Sequence, residues 1–227
     1  MSQSVIDRAT SITLTLAAVA IAVVLVRREF FPAADRSNST NAPVFVEDWK
    51  SFVGDGILQG SSSAEIIVTE FVDFECPVCA TYEKTLQAVA AKFPGVVSRL
   101  SIHFPLSEIH SHSLAAAVAV DCAHEQGRFA QMSNIIFSKQ DSLGNLSWSD
   151  LARRSEVVDT IAFEACLTGP TPPRVTRGTE LAKELNLRGT LTIMVNGWRY
   201  AGGLPEPALI SAIEKILAGK KPQGAKR

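Results

Sequence analysis

Asp73 to Phe93 reads DFECPVCATYEKTLQAVAAKF, and within it the chain passes from one periodicity to another. Upstream, Ile66, Val68, Phe71, Val72 and Phe74 have the β-branched and aromatic content of a strand buried in a sheet. Downstream, Tyr82, Leu86, Val89, Ala90 and Phe93 recur at helical spacing. Pro77 suits the first turn of that helix, because its fixed φ fits and its missing N–H is one the helix leaves unpaired. Cys76 therefore stands at a helix N-terminus, where unpaired N–H groups and the positive end of the dipole stabilise a thiolate. Cys79, three residues on, shares the helical face and is placed to resolve a mixed disulfide formed at Cys76. Such a pair exchanges two electrons without a cofactor. Zinc is the competing use of a Cys-x-x-Cys, but it wants four ligands, and no second such pair or His pair at finger-like spacing follows. His103, His110, His112 and His124 contain one close pair, His110 and His112, with no third ligand beside it. No metal and no cofactor is expected.

A net charge of −1 over 227 residues points to no nucleic-acid partner. The N-terminal region stands apart from the rest. Residues 9–26 contain no charged side chain, the short end of what crosses a bilayer. Arg27, Arg28 and Glu29 follow directly where a signal peptide would carry a small-residue cleavage site, so residues 1–31 read as a retained single-span anchor, with a cleaved signal as the alternative. Arg27 and Arg28 by themselves would keep the following domain in the cytoplasm; the chemistry of the Cys pair wants an oxidising space, and long domains are translocated largely regardless of flanking charge. Export is the expectation: a single pass through the inner membrane, with the folded part facing the periplasm or cell exterior, or secreted if the signal is cleaved.

Residues 32–43, rich in Ser, Asn and Pro, read as a flexible linker. Val44 to Trp49 is expected to form a short leading strand, followed by turns at Gly54, Gly56 and Gly60. After the junction, Val96 to Phe104 alternates like a second central strand. Helices are expected at Leu114–Ala123, Phe129–Phe137, Leu151–Arg154 (capped by Ser149 or Asp150), Asp159–Leu167 and Val175–Leu187. Thr190 to Val195 returns to strand, and Asn196-Gly197 is a hairpin signal leading into Trp198 to Ala201. Pro205 or Pro207 opens a last helix, and residues 219–227 read as a disordered basic tail. The order strand, helix, strand, several helices, strand, hairpin, strand, helix fits an α/β thioredoxin-like fold with a central mixed sheet. Its domain covers 44–218, interrupted by a helical insertion at about 108–187.

From Trp49 to Leu217 the sequence resembles the DsbA-like thiol:disulfide oxidoreductases. The matching stretches are TEFVDFECPVC, HFPLSEIHSHSLAAA, DCAHEQGRF, FEACL, LNLRGTLTIMVNG and AGGLPEPALISAI. The resemblance implies a first Cys exposed at the junction and a second one shielded, exported polypeptides as substrates, and a membrane redox partner. It implies an acidic residue, Glu70, six positions before Cys76, where a partly buried carboxylate would exchange a proton with Cys79; a strand-end glutamate facing solvent is the alternative. Glu83 matches a second acid, or is merely solvated. Strongly oxidising relatives carry His where Val78 stands, and Asp73 and Glu75 close by oppose a thiolate. A Cys76 less acidic than in those relatives is expected.

The resemblance also makes Pro77, Val78, Thr190 and Leu191 the substrate-binding residues, and here the chain departs from the family. Where relatives read Gly-Thr-Pro-Thr or Gly-Val-Pro-Thr with a cis proline, this chain has Gly189-Thr190-Leu191-Thr192. Either the bond before Leu191 keeps the cis form or it is trans and the loop is reshaped. A non-catalytic thioredoxin-like module that holds a membrane or periplasmic partner is the reading in which Leu191 marks lost turnover. Relatives often carry cysteines at Cys122 and Cys166 as well; these two form a structural disulfide or stay buried free thiols.

Overall fold

In the computed structural model, which describes residues 42–225, the run Ile66–Val72 is the central strand of a six-stranded sheet and every residue in it is buried. The elements are β1 (Val44–Phe45), β2 (Ile57–Gln59), β3 (Ile66–Val72), α1 (Pro77–Lys92), β4 (Val97–His103), α2 (Ser113–His124), α3 (Phe129–Ser138), α4 (Trp148–Arg154), α5 (Thr160–Thr168), α6 (Pro173–Glu184), β5 (Thr192–Val195), β6 (Trp198–Ala201) and α7 (Glu206–Leu217). The sheet order is β1-β6-β5-β3-β4-β2. β3 and β4 run parallel through the α1 crossover, while β5, β6, β1 and β2 pair antiparallel to their neighbours, so the sheet is mixed. The membrane-segment reading of residues 9–26, the 1–31 anchor, most of the 32–43 linker and the last two residues of the tail lie outside the described residues.

Alternation along β3 divides two cores. Ile66, Val68 and Val72 face the cluster that holds Cys79, Tyr82, Leu86 and Val89 of α1. Ile67 and Phe71 face a second cluster with Leu100, Ile102 and Met194, closed by Leu181 and Ala182 of α6. α6 reaches β4 through Gly178, where a Cβ would collide with the His103 carbonyl oxygen. Helices α2 to α5 extend the first cluster, and a Cys122–Cys166 disulfide joins α2 to α5.

The hairpin forms at Asn196-Gly197 with both φ angles positive, 44° and 84°, the twist that a two-residue β-turn requires. Other expectations are corrected. The leading strand shrinks to Val44–Phe45 and a 3₁₀ helix occupies Trp49–Asp55. The segment read as turns contains β2, three residues that β4 recruits to the sheet edge. α4 begins at Trp148, so Ser147 is its N-cap and not Ser149 or Asp150. Residues 219–225 do not trail away: Lys220 N–H donates to the Lys215 carbonyl, and Pro222 is buried.

Candidate active site

Cys76 is the N-cap of α1, in extended backbone geometry, and Pro77 is the first helical residue. Cys76 and Cys79 are both free thiols. A hydrogen bond from Cys79 is the largest influence on Cys76 and holds its pKa down to about 5; burial opposes this, while Thr190 and the backbone N–H groups of Cys79 and Val78 add to it. The same hydrogen bond, followed by burial and the Cys76 charge, pushes the Cys79 thiol far up. The two sulfurs are thus driven to opposite protonation states.

One expectation about Cys76 changes. The sulfur is not open: Cys76 is 5% exposed and Cys79 1%. The loop ahead of β5 covers it, with the Thr190 carbonyl oxygen 3.9 Å from Cys76 Sγ and Leu191 in the same apolar cluster. Asp73 and Glu75, expected to oppose a Cys76 thiolate, are engaged elsewhere. Asp73 is buried and accepts hydrogen bonds from Glu75 N–H (2.8 Å) and Leu106 N–H (2.9 Å), and pairs with His110 Nδ1 (2.8 Å). Glu75 accepts His112 N–H (2.6 Å) and lies 3.1 Å from that ring. Both carboxylates therefore have cationic or N–H partners of their own. Burial works against a charge on His110, but the Asp73 hydrogen bond and the charges of Asp73, Cys76 and Glu75 raise its pKa. His103 is fully buried with Nε2 3.4 Å from Asp121. Among the described residues no three His, Cys, Asp or Glu side chains gather as metal ligands.

Glu70 does not face solvent. It is 4% exposed, accepts Ser101 Oγ–H at 2.6 Å and lies 3.3 Å from Arg99 Nη2. Arg99 also binds Glu83 at 2.5 and 3.0 Å, so Glu83 is paired and not merely solvated. Burial raises the Glu70 pKa, Arg99 opposes that, and Glu83 adds to it. The Glu70 charge in turn further disfavours a Cys79 thiolate.

The peptide bond between Thr190 and Leu191 is cis, and Leu191 is buried. Gly203 allows this close approach, since a Cβ there would meet the Tyr82 ring at 2.6 Å and Leu191 Cδ2 at 3.0 Å. The Thr190 hydroxyl is buried with no hydrogen-bond partner among the described residues. The Cys76 thiol donates to the Thr190 carbonyl oxygen, and the Thr190 side chain adds to the lowering of the Cys76 pKa. Val78, 56% exposed, stands between two concavities, one shared with Thr190 and Leu191, the other with Pro77, Thr81 and Tyr82.

Arg99, His110 and Gln140 were not anticipated as site residues. Gln140 Nε2 donates to the carbonyls of Phe74 (2.9 Å) and Cys76 (3.0 Å), tying the insertion to the junction. For Arg99 a signal existed: an arginine inside an apolar alternating strand needs a buried counter-charge.

A thiol pair at the first turn of the crossover helix, faced by a cis-peptide loop on a mixed sheet with inserted helices, defines a protein of the thioredoxin fold. The family described as thioredoxin matches residues 53–215, and the chain belongs to it. Solved structures of the same fold include a thioredoxin-like oxidoreductase from Silicibacter pomeroyi (19% identity, 76% of this chain and 99% of that one, TM-score 0.64). The catalytic domain of Proteus mirabilis ScsC (19%, 72% and 90%, 0.63) and oxidised BdbD from Bacillus subtilis (21%, 74% and 95%, 0.64) share it too. Among curated relatives, the Na(+)/H(+) antiporter NhaA 1 of Mycolicibacterium vanbaalenii is 32% identical over 162 residues, which make up 69% of this chain. The chain spans about a quarter (26%) of that antiporter's length, so its name describes a protein most of which has no counterpart here.

Proposed function

We propose that the protein is a membrane-anchored thiol:disulfide oxidoreductase that exchanges disulfides with exported polypeptides through Cys76 and Cys79. The opposite displacement of the two thiol pKa values at one helix start carries this reading. In the oxidising direction a substrate thiolate attacks Sγ of Cys76 in the Cys76–Cys79 disulfide, and Cys79 leaves and takes up a proton. A second substrate thiolate then attacks the substrate sulfur of the mixed disulfide, and Cys76 leaves as a thiolate. Two electrons reach the protein, and a membrane redox partner removes them. Glu70, whose pKa burial raises against the pull of Arg99, supplies and recovers the proton of Cys79. Cys76 is the less buried of the two, 5% against 1% exposed, which supports it as the sulfur that exchanges with substrate. The stabilised Cys76 thiolate favours the dithiol form and so oxidation of the substrate. The Cys122–Cys166 disulfide fits an oxidising compartment, in accord with residues 9–26 holding the domain on the outer side of the inner membrane. Among the described residues no helix is long and apolar enough to cross a membrane.

Reactivation of reduced, denatured ribonuclease by the full-length protein in detergent, beside insulin reduction and a glutathione redox titration, tests this. Activity that disappears in Cys76→Ser is expected. A reversible Cys76–Cys79 couple with no turnover in either assay refutes it and leaves the partner-holding module, which the near-complete cover over Cys76 favours.

A further inference from the structure

The groove beside the thiols carries a charge pattern that disulfide exchange does not use. Its volume is about 440 Å³; Val78, Leu187, Leu191 and Ala201 give it apolar walls, and Arg188 and Arg199 line it as well. No Asp or Glu is in that lining, and neither arginine has an ion-pair partner among the described residues. Arg199 is held in place by donating Nη1–H to the Leu185 carbonyl at 2.6 Å, which leaves its charge uncompensated. Arg188 is exposed. On a chain whose net charge is −1, this local excess of positive charge is not the by-product of a basic composition. Thr190 lines the same groove and its carbonyl lies 3.9 Å from Cys76 Sγ, so the groove lies beside the reacting sulfur.

We propose that this groove selects polypeptides carrying Asp or Glu within a few residues of the reacting cysteine, with an apolar side chain against Val78 and Leu191. The inference rests on the oxidoreductase reading and names its substrate class. A guanidinium with free donors is matched by a carboxylate, which accepts two parallel N–H bonds. A lysine or arginine at the same place meets like charge, so the groove also rejects. Two cations are too few to hold a phosphate backbone or an anionic bilayer at physiological salt. An extended peptide advances about 3.3 Å per residue, so a groove beside the sulfur reads the cysteine's near neighbours.

The test uses the oxidised full-length protein in detergent and three dithiol peptides identical except for Glu, Gln or Lys beside the cysteine. Each rate is divided by the same peptide's rate with hydroxyethyl disulfide, which cancels the effect of the flanking charge on the peptide thiol itself. The Glu peptide is expected to outrun the Lys peptide by roughly three- to tenfold at low salt, the reach of exposed charge pairs, with the gap closing as salt rises. Arg199→Glu and Arg188→Glu should each reverse or flatten the order; Arg188 makes no hydrogen bond or ion pair with the described residues, so its variant removes no polar contact of the fold. Equal normalised rates for the three peptides, or an unchanged order in Arg188→Glu, overturns the inference while the oxidoreductase reading stands. No reaction with any peptide overturns both.

Discussion

Replacing Thr190 by Val removes one hydroxyl and almost nothing else. That hydroxyl is buried with no hydrogen-bond partner among the described residues, and the Thr190 side chain is one of the influences that lower the Cys76 pKa, so its removal should act chiefly on the Cys76 thiolate. A hydrogen bond to a charged group contributes about 1.5–3 kcal/mol, and 1.36 kcal/mol corresponds to a tenfold change in acidity. Taking the low end, the Cys76 midpoint moves from about 5 to about 6. At pH 7 the thiolate fraction falls only from ~99% to ~91%, but at pH 5.5 it falls from ~76% to ~24%. Alkylation by iodoacetamide should therefore slow about threefold at pH 5.5 and hardly at all at pH 7. The dithiol form loses about 1.3 kcal/mol relative to the disulfide at pH 7, which lowers the reduction potential by ~30 mV. Thiolate absorbance at 240 nm across pH, with a glutathione equilibrium for the potential, reads both quantities. A Thr190→Val midpoint equal to or below the native one would show that the hydroxyl does not reach the sulfur.

Cys79→Ala removes the largest stabiliser of the Cys76 thiolate, so the same absorbance titration should move further upward than in Thr190→Val; with the resolving thiol gone, mixed disulfides with substrate should accumulate on non-reducing gels. Arg99→Met leaves Glu70 buried without its cation and should cost on the order of 3–5 kcal/mol in urea unfolding, much of it recovered in the double variant with Glu70→Gln. Cys122→Ser with Cys166→Ser opens a link across 44 residues and should lower stability by up to ~4 kcal/mol on the chain-entropy account. His110 has a folded pKa raised above its unfolded value, so the stability it adds is fully present below about pH 6.5 and disappears as pH rises through the higher folded value. His110→Gln should thus be less stable than the native protein at pH 6 and indistinguishable from it at pH 9, measured by urea midpoints.

The fold was legible in the sequence because its signals are local. Period-2 alternation before Cys76, period-3.6 spacing after it, Pro77 at the first turn and Asn196-Gly197 at the hairpin each act over a few residues and are repeated in the structure. The same locality explains the misses. Ile57–Gln59 is too short to show a period and is a strand only because β4 offers it an edge.

The site divides along the same line. From residue type and spacing came a thiolate-stabilising helix start and a second thiol one turn on; the carboxylate on the preceding strand and the Gly189–Thr192 loop came from the resemblance to the DsbA-like family. Tertiary structure alone decided that Asp73 meets His110 across 37 positions, that Arg99 joins Glu70 to Glu83, and that Thr190 overlies a sulfur 114 positions away. Charge compensation depends on distances through space, and a buried carboxylate and a paired one have the same one-letter code. Whether Asp73 and Glu75 oppose the thiolate or are already engaged therefore depends on how the chain folds back, which no local spacing records.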